Sequence, residues 1–208
     1  MIKAIIFDFG SVVYRTDWKK VNEFFKERNG FGILIQDTKD EEIIRIYKES
    51  DVGKEDLKKI FLRMGPKDLD MNKILKDYKE AFIKFKILNT EMVKIINELK
   101  DKYTLFGFTD VKKEHFEANK DAGIYDGFKK IFTSFSLMML KANKNAFEFV
   151  VNDLKNYDIK PSECIFIDDH LPNIENARHF GFKTIHYTDF PNVSGFEKEI
   201  HILLQNKN

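Results

Sequence analysis

Residues 164–173 read CIFIDDHLPN, and this stretch decides the fold. The apolar run Cys164–Ile167 ends abruptly at two adjacent carboxylates, Asp168 and Asp169. Continuous apolar character over so short a run is typical of a parallel strand that is covered on both faces. The stretch therefore predicts a buried strand whose carboxyl end presents two acids.

Two neighbouring carboxylates repel each other and are costly to hold together unless a cation or hydrogen-bond donors offset their charge. A hard divalent ion such as Mg²⁺ suits the position, because it takes oxygen ligands, keeps several waters and commonly binds one or two carboxylates plus a substrate phosphate. The alternative is that Asp168-Asp169 caps the amino end of a helix over Pro172–Phe180. Taken alone, the stretch leaves both interpretations open.

Similar short apolar runs recur along the chain, separated by longer segments with helical periodicity. This alternation predicts an α/β fold with a mostly parallel sheet. The segment Thr90–Asp101 predicts the helix that leads into the second strand, with Thr90 as its N-cap. The predicted strands are Lys3–Phe7, Tyr103–Phe108, Lys130–Thr133, Cys164–Ile167 and Lys183–Tyr187.

The segment from about Arg15 to about Leu88 shows no strand pattern, and its apolar residues recur at spacings of three and four. Such spacing predicts about four helices. Glycine-containing breaks between the helices predict the turns. The helices are centred on Val21–Arg28, Ile43–Tyr47, Leu57–Met64 and Ile74–Phe82.

Three further motifs place polar groups at the ends of predicted elements. In IIFDFGSVV, residues 5–13, an apolar strand ends in Asp8. Ligand sites lie at the carboxyl ends of such strands. The alternative is that Asp8 belongs to an ordinary turn, in which Asp near glycine is common. In LFGFTD, residues 105–110, Thr109 could hold phosphate oxygens or cap a helix. Lys141 precedes a predicted helix over Asn143–Leu154, and it could neutralise an anion or be a plain surface charge.

The order of these features along the chain is far more specific than any one of them alone. It is a strand ending in Asp, a helical insert, a strand ending in Thr, a lysine, and a strand ending in Asp-Asp. The arrangement resembles the haloacid dehalogenase superfamily over essentially the whole chain. Within it, the chain is similar to the subgroup with glycine two positions after the nucleophile, which includes sugar-1-phosphate phosphatases. The resemblance implies a Rossmann-like three-layer core over residues 1–14 and 89–208, with a helical cap over residues 15–88.

An insert placed directly after the nucleophile loop can close over the site and exclude water. Arg15, Asp17 and Trp18 lie at the hinge of this insert and could touch the substrate. A plain linker or packing role for these residues is the alternative.

By the same resemblance, the protein is expected to be an Mg²⁺-dependent phosphatase of a small phosphate ester. Asp8 is expected to attack phosphorus and form an aspartyl-phosphate that water then hydrolyses. The metal is expected on Asp8, the backbone carbonyl of Gly10 and Asp169, with Asp168 bound directly or through water. The metal would screen the repulsion between the nucleophile and the anionic substrate.

Thr109, Asp110 and Lys141 are expected to bind the phosphoryl group, and Lys141 also to offset the charge on the nucleophile. Three positions depart from the family pattern. Gly10 stands in place of the usual Asp that serves as general acid and base, and such a loss is worth about 10²- to 10⁴-fold in rate. Asp110 stands in place of Asn, although alternation along an extended chain would let it point away, and Ala142 stands in place of Pro.

Two other functions stay open. A metal-independent 2-haloacid dehalogenase would also use an Asp nucleophile, but it would not need the pair Asp168-Asp169. A catalytically weak binding or regulatory homologue is favoured by Gly10 and Asp110.

Bulk composition bears on partners and location. The net charge is +1, from 35 basic and 34 acidic residues, which predicts no basic surface for binding nucleic acid or a membrane. The pairs Lys58-Lys59 and Lys112-Lys113 are interpreted as solvated helix faces. The first apolar run meets Asp8 too soon for a signal peptide or membrane span. The single Cys164 fits a small buried hydrophobe in a reduced compartment, so we expect a cytoplasmic protein of unknown oligomeric state.

Overall fold

The apolar runs form a parallel sheet, which is seen in a computed structural model that describes residues 1–35 and 38–205. Five strands pair in the order β5-β4-β1-β6-β7, and each neighbouring pair is parallel. The α/β class and the mostly parallel sheet are therefore confirmed. The strands are β1 (Ala4–Phe7), β2 (Tyr14–Thr16), β3 (Lys86–Leu88), β4 (Thr104–Thr109), β5 (Lys130–Thr133), β6 (Cys164–Asp168) and β7 (Lys183–His186).

Helices cover both faces of this sheet, because successive strand residues point to opposite sides. Ile5 and Phe7 belong to one buried cluster, and Ala4 and Ile6 belong to another. No helix in the described part of the chain is long and apolar enough to cross a membrane. The helices are α1 (Trp18–Asn29), α2 (Glu41–Ser50), α3 (Lys58–Met64), α4 (Met71–Lys84), α5 (Thr90–Leu99), α6 (Lys113–Asp121), α7 (Ser134–Leu137), α8 (Lys144–Leu154), α9 (Leu171–His179) and α10 (Ser194–Gln205).

The register of the sheet brings the polar strand ends together. Phe7 of β1 lies level with Gly107 of β4 and with Ile167 of β6. Asp8 follows Phe7 directly, and its N–H donates to the Ile167 carbonyl at 2.8 Å. Asp8 therefore lies level with the end of β6, at the carboxyl edge of the central strand, where parallel α/β sheets bind ligands.

The four helices predicted between the first two long strands are present as α1–α4, which we call the helical segment. They bury a hydrophobic cluster of their own, with Phe25 and Phe61 at its centre. These two rings stack with centroids 5.7 Å apart. The helical segment thus has an interior separate from the two clusters that flank the sheet.

Two predictions around this segment were wrong in detail. No strand was expected between about Arg15 and Leu88, yet β2 and β3 pair as an antiparallel ribbon in which Thr16 lies opposite Lys86. Three-residue strands are too short to show a periodic pattern. The N-cap of α5 is Asn89 rather than Thr90, because the Asn89 side chain accepts the Met92 N–H at 3.2 Å.

Candidate active site

Asp8 stands at the end of β1, where the chain turns back sharply. The N–H groups of Val13 and Tyr14 both donate to the carbonyl of Phe9, at 2.9 and 3.0 Å. Ser11 takes up a left-handed backbone conformation, with φ of 55°, to make this turn. Asp8 is 6% exposed, so the turn presents one buried carboxylate.

Lys141 joins two of the predicted acids. Its Nζ lies 2.8 Å from Asp8 Oδ1 and 2.6 Å from Asp168 Oδ2, and the side chain is buried. Burial raises the pKa of Asp8 to about 7, against the lowering effect of Lys141. Burial alone would lower the pKa of Lys141, but Asp8 and Asp168 outweigh it, and the lysine stays charged.

Asp168 is fully buried, and both of its oxygens accept hydrogen bonds. Oδ1 accepts the His170 N–H at 2.8 Å and Asn173 Nδ2 at 3.0 Å, while Oδ2 accepts Lys141 Nζ. The N-cap of α9 is His170, and no side chain caps that helix. The alternative in which the acid pair caps the helix is therefore not what the structure adopts.

Asp169 lies half-buried beside the other two acids. His186 Nε2 lies 3.0 Å from its backbone carbonyl, and Ser11 lines the same cavity as the three acids. Burial, followed by the neighbouring Asp168 charge, raises the pKa of Asp169. Ser11 and Asn173 were not singled out in the sequence, because a lone Ser or Asn after a strand has no distinctive pattern.

The three acids fit a hard divalent cation. One oxygen from each of Asp8, Asp168 and Asp169 lies within 4.8 Å of the others. Two oxygen ligands of one Mg²⁺, each about 2.1 Å from the ion, are about 3 to 4 Å apart. A small contraction would bring this all-oxygen set to the spacing of a single ion. The set contains no sulfur or imidazole ligand, and oxygen-only sites are those that Mg²⁺ prefers.

All seven residues singled out in the sequence line one cavity of about 270 Å³, which we call the carboxylate cavity. Thr109, at the end of β4, is 3% exposed. Asp110 does not point away from the site: the residue lines the cavity, and its carboxylate accepts the backbone N–H of Lys141 at 3.0 Å. The seven are Asp8, Gly10, Thr109, Asp110, Lys141, Asp168 and Asp169.

A second cavity of about 370 Å³, the adjoining cavity, opens beside the first and is lined by both the core and the helical segment. Arg15 and Trp18 line it, whereas Asp17 caps α1 by accepting the Lys20 N–H at 3.1 Å. The aromatic side chains of its wall are Tyr14, Trp18, Tyr47 and Phe82, and its charged or titratable groups include Arg15, Asp51, Asp110, Lys112 and His115.

Lys112 corrects the interpretation of Lys112-Lys113 as a solvated helix face. The residue is 2% exposed, and its ammonium group forms an ion pair with Asp51 of the helical segment. The same Nζ lies 3.6 Å from the centroid of the Tyr47 ring. Burial lowers the pKa of Lys112, and Asp51 opposes that effect. Lys113 is exposed as expected.

Comparisons with known proteins agree with this geometry. Residues 2–181 match the family described as haloacid dehalogenase-like hydrolase. The chain is similar to D-ribitol-5-phosphate phosphatase of Bacteroides thetaiotaomicron, at 24% identity over 195 residues, which cover 88% of this chain and 91% of that protein.

Solved structures show the same fold at low identity. One is a haloacid dehalogenase (HAD) family enzyme of B. thetaiotaomicron in complex with magnesium and inorganic phosphate, with a TM-score of 0.73 and 21% identity over 94% of this chain and 99% of that one. Another is a predicted HAD-like family hydrolase of Porphyromonas gingivalis, with a TM-score of 0.70 and 19% identity over 100% of both chains. At these identities the likeness establishes the fold.

Proposed function

We propose, since this chain belongs to the haloacid dehalogenase-like hydrolase family, that it is an Mg²⁺-dependent phosphatase of a small phosphate monoester. The observation that carries the proposal is the convergence of a buried carboxylate, Asp8, with one lysine and two further acids at a single sheet edge. A carboxylate in that setting is a known nucleophile toward phosphorus.

Each side chain of the carboxylate cavity then has a role in the transfer. One oxygen of Asp8 attacks phosphorus, while Lys141 holds the other at 2.8 Å and so fixes the direction of attack. The Lys141 ammonium also lies where negative charge builds up on the transferred group, which lowers the barrier. Thr109 supports the phosphoryl oxygens from the neighbouring strand. Water then hydrolyses the aspartyl-phosphate and frees the nucleophile.

Asp8, Asp169 and the backbone carbonyl of Gly10 would hold Mg²⁺ directly. Asp168 would act through water, because both its oxygens already accept hydrogen bonds from protein donors. When bound, the ion supplies positive charge that offsets the repulsion between the nucleophile and the phosphate dianion. The HAD family enzyme crystallised with magnesium and inorganic phosphate supports magnesium as the ion.

The adjoining cavity would receive the alcohol part of the substrate. Aromatic walls suit the apolar face of a carbon chain, and charged groups such as Asp51 and Lys112 suit its hydroxyls. The similarity to D-ribitol-5-phosphate phosphatase supports the phosphate ester of a small polyhydroxylated alcohol as substrate class.

Residues 15–88 would act as the cap that closes over the alcohol, and residues 1–14 and 89–208 would form the catalytic core. The β2–β3 ribbon joins the two at both chain crossings. The Asp51–Lys112 ion pair joins them again across the adjoining cavity. Closure there would exclude water from the reaction.

One assay tests the function. Purified protein should hydrolyse an activated aryl phosphate in the presence of Mg²⁺ and lose that activity with excess chelator. The variant Asp8→Asn should be inactive, while Asp101→Asn, on the exposed turn before the amino end of β4, should match the wild type. Halide release from a 2-haloacid without metal would point to the dehalogenase reaction instead, and inactivity on a broad panel of phosphates would point to a binding protein.

A further inference from the structure

The proposed phosphatase reaction leaves one proton without a donor. When the phosphorus–oxygen bond of an alkyl phosphate breaks, the departing alkoxide needs a proton, and a positioned acid supplies about 10²- to 10⁴-fold of rate. Position 10 is glycine, so no side chain there can supply it. The chain needs another acid at the boundary between the transferred group and the alcohol.

That boundary is defined by the residues that line both cavities. Among the described residues they are Gly10, Ser11 and Asp110. Gly10 has no side chain, and the Ser11 hydroxyl is no stronger an acid than the departing alcohol. Asp110 is the carboxylic acid of the three.

The Asp110 carboxylate is held in place. The backbone N–H of Lys141 donates to both of its oxygens, at 3.0 and 3.4 Å. This anchor lies in the residue whose ammonium group binds the nucleophile, so the orientations of Asp110 and Asp8 are linked through Lys141.

We infer that Asp110 is the general acid and general base of the reaction, in place of the acid absent at position 10. This inference rests on the proposed phosphatase function. Asp51, Lys112 and His115 line only the adjoining cavity, and so they would contact the remainder of the alcohol.

The proton balance closes in two steps. In the first, Asp8 bonds to phosphorus, the phosphorus–oxygen ester bond breaks, and the Asp110 proton passes to the ester oxygen, which leaves as an alcohol. In the second, Asp110, now a carboxylate, takes a proton from water while the water oxygen bonds to phosphorus. The bond from phosphorus to Asp8 breaks, inorganic phosphate leaves, and both side chains are restored.

The surroundings of Asp110 favour its protonated form. Although the residue keeps an exposed face, loss of solvent around the carboxyl raises its pKa, and Lys141 opposes this. The negative charges of Asp168 and Asp51 also raise it. A protonated Asp110 would also avoid repelling a phosphate dianion.

The variant Asp110→Asn separates the two steps. Asparagine keeps the carbonyl that accepts the Lys141 N–H, so the loop retains its anchor. With a simple alkyl phosphate, kcat/KM should fall about 10²-fold or more, because the alkoxide leaves unprotonated. With an activated aryl phosphate, the pre-steady-state burst should keep its rate within about 5-fold, because a good leaving group needs no proton. Steady-state turnover after that burst should slow, because hydrolysis of the aspartyl-phosphate has lost its base.

A relocated acid provides the rescue. A Cβ added at Gly10 would lie 3.9 Å from Asp8 Oδ2, an ordinary contact, and the backbone there is not in the left-handed region. The double variant Gly10→Asp/Asp110→Asn should therefore recover at least about 10-fold of the lost alkyl phosphate activity. Asp101→Asn should behave as wild type in every assay.

Two results would overturn the inference and leave the phosphatase function standing. One is an equal fall in the aryl burst rate and the alkyl turnover, which would indicate a purely positional effect. The other is alkyl phosphate turnover unchanged in Asp110→Asn. Wild-type protein that forms no aspartyl-phosphate with any substrate would instead remove the function and this inference together.

Discussion

Replacing Asp8, the proposed nucleophile, should make the metal-free protein more stable while it abolishes activity. Asp8 is a buried carboxylate beside two others, and burial raises its pKa from 3.8 to about 7. Between about pH 4 and pH 7 the folded state keeps a proton that the unfolded state has released, so stability falls as pH rises through this window. Asparagine has nearly the shape of the protonated carboxyl and never ionises.

The size of the stability gain follows from the raised pKa of Asp8. Each pKa unit corresponds to about 1.4 kcal/mol, so Asp8→Asn should gain up to about 4 kcal/mol in unfolding free energy above pH 7. The gain should shrink toward zero near about pH 4, where the wild-type side chain is neutral in both states. Added Mg²⁺ should narrow the gap at high pH, because the ion binds the folded wild type and stabilises it by mass action.

Urea unfolding at about pH 5 and about pH 8, with chelator and then with excess Mg²⁺, measures these differences. Asp101→Asn provides the matched control, because it makes the same substitution at an exposed aspartate outside the cavities. If Asp8→Asn is no more stable than wild type at the higher pH without metal, or if its gain is the same at both pH values, the reasoning about this buried carboxylate is wrong.

Two further substitutions test the packing under the site and the wall of the adjoining cavity. Gly107→Ala should lower the unfolding free energy by about 1–3 kcal/mol and also reduce activity. The reason is that a Cβ at position 107 would lie 2.5 Å from Phe9 Cε2, in the turn that follows Asp8. Urea unfolding and the aryl phosphate assay measure the two effects, and unchanged stability would contradict this contact. Lys112→Met should raise KM for a polyol phosphate about 10-fold or more, which is a loss of at least about 1.4 kcal/mol in binding free energy. Inhibition by inorganic phosphate should stay unchanged, because Lys112 lines only the adjoining cavity. Equal weakening of substrate binding and phosphate inhibition would place Lys112 at the phosphoryl group instead.

The sheet and its polar edge could be predicted because the evidence for them is local. A short apolar run such as Cys164–Ile167 specifies a buried parallel strand within a few residues, and the acid after it marks the edge where ligands bind. Asp8 and Asp168 could both be expected at that edge, and the resemblance to the family implied that they meet around one ion; the pairing of β1 with β6 explains how they do so. Their roles as nucleophile and metal ligand stay predictions.

Other features could not be predicted because they depend on distant partners. Lys112 looks like a surface lysine in sequence, and its burial depends on two distant partners, Asp51, 61 residues away, and the ring of Tyr47. The β2–β3 ribbon pairs segments too short to show a period, although Tyr14 and Leu88 lie opposite each other in the fold. Asn89 and Thr90 are both good capping residues, so only the tertiary contacts of the Asn89 amide with the Val12 carbonyl and the Tyr187 hydroxyl distinguish them.

The separate interior of the helical segment has an evolutionary consequence. Within the described ranges, its cluster around Phe25 and Phe61 shares no buried residue with the two clusters beside the sheet. Substitutions in clusters without shared partners add their effects independently. Descendants of this chain could therefore change the interior around Phe25 and Phe61 with little effect on the geometry around Asp8. The exception is Tyr78, whose hydroxyl lies 2.6 Å from His115 Nε2 of α6 and ties that interior to the rest of the fold.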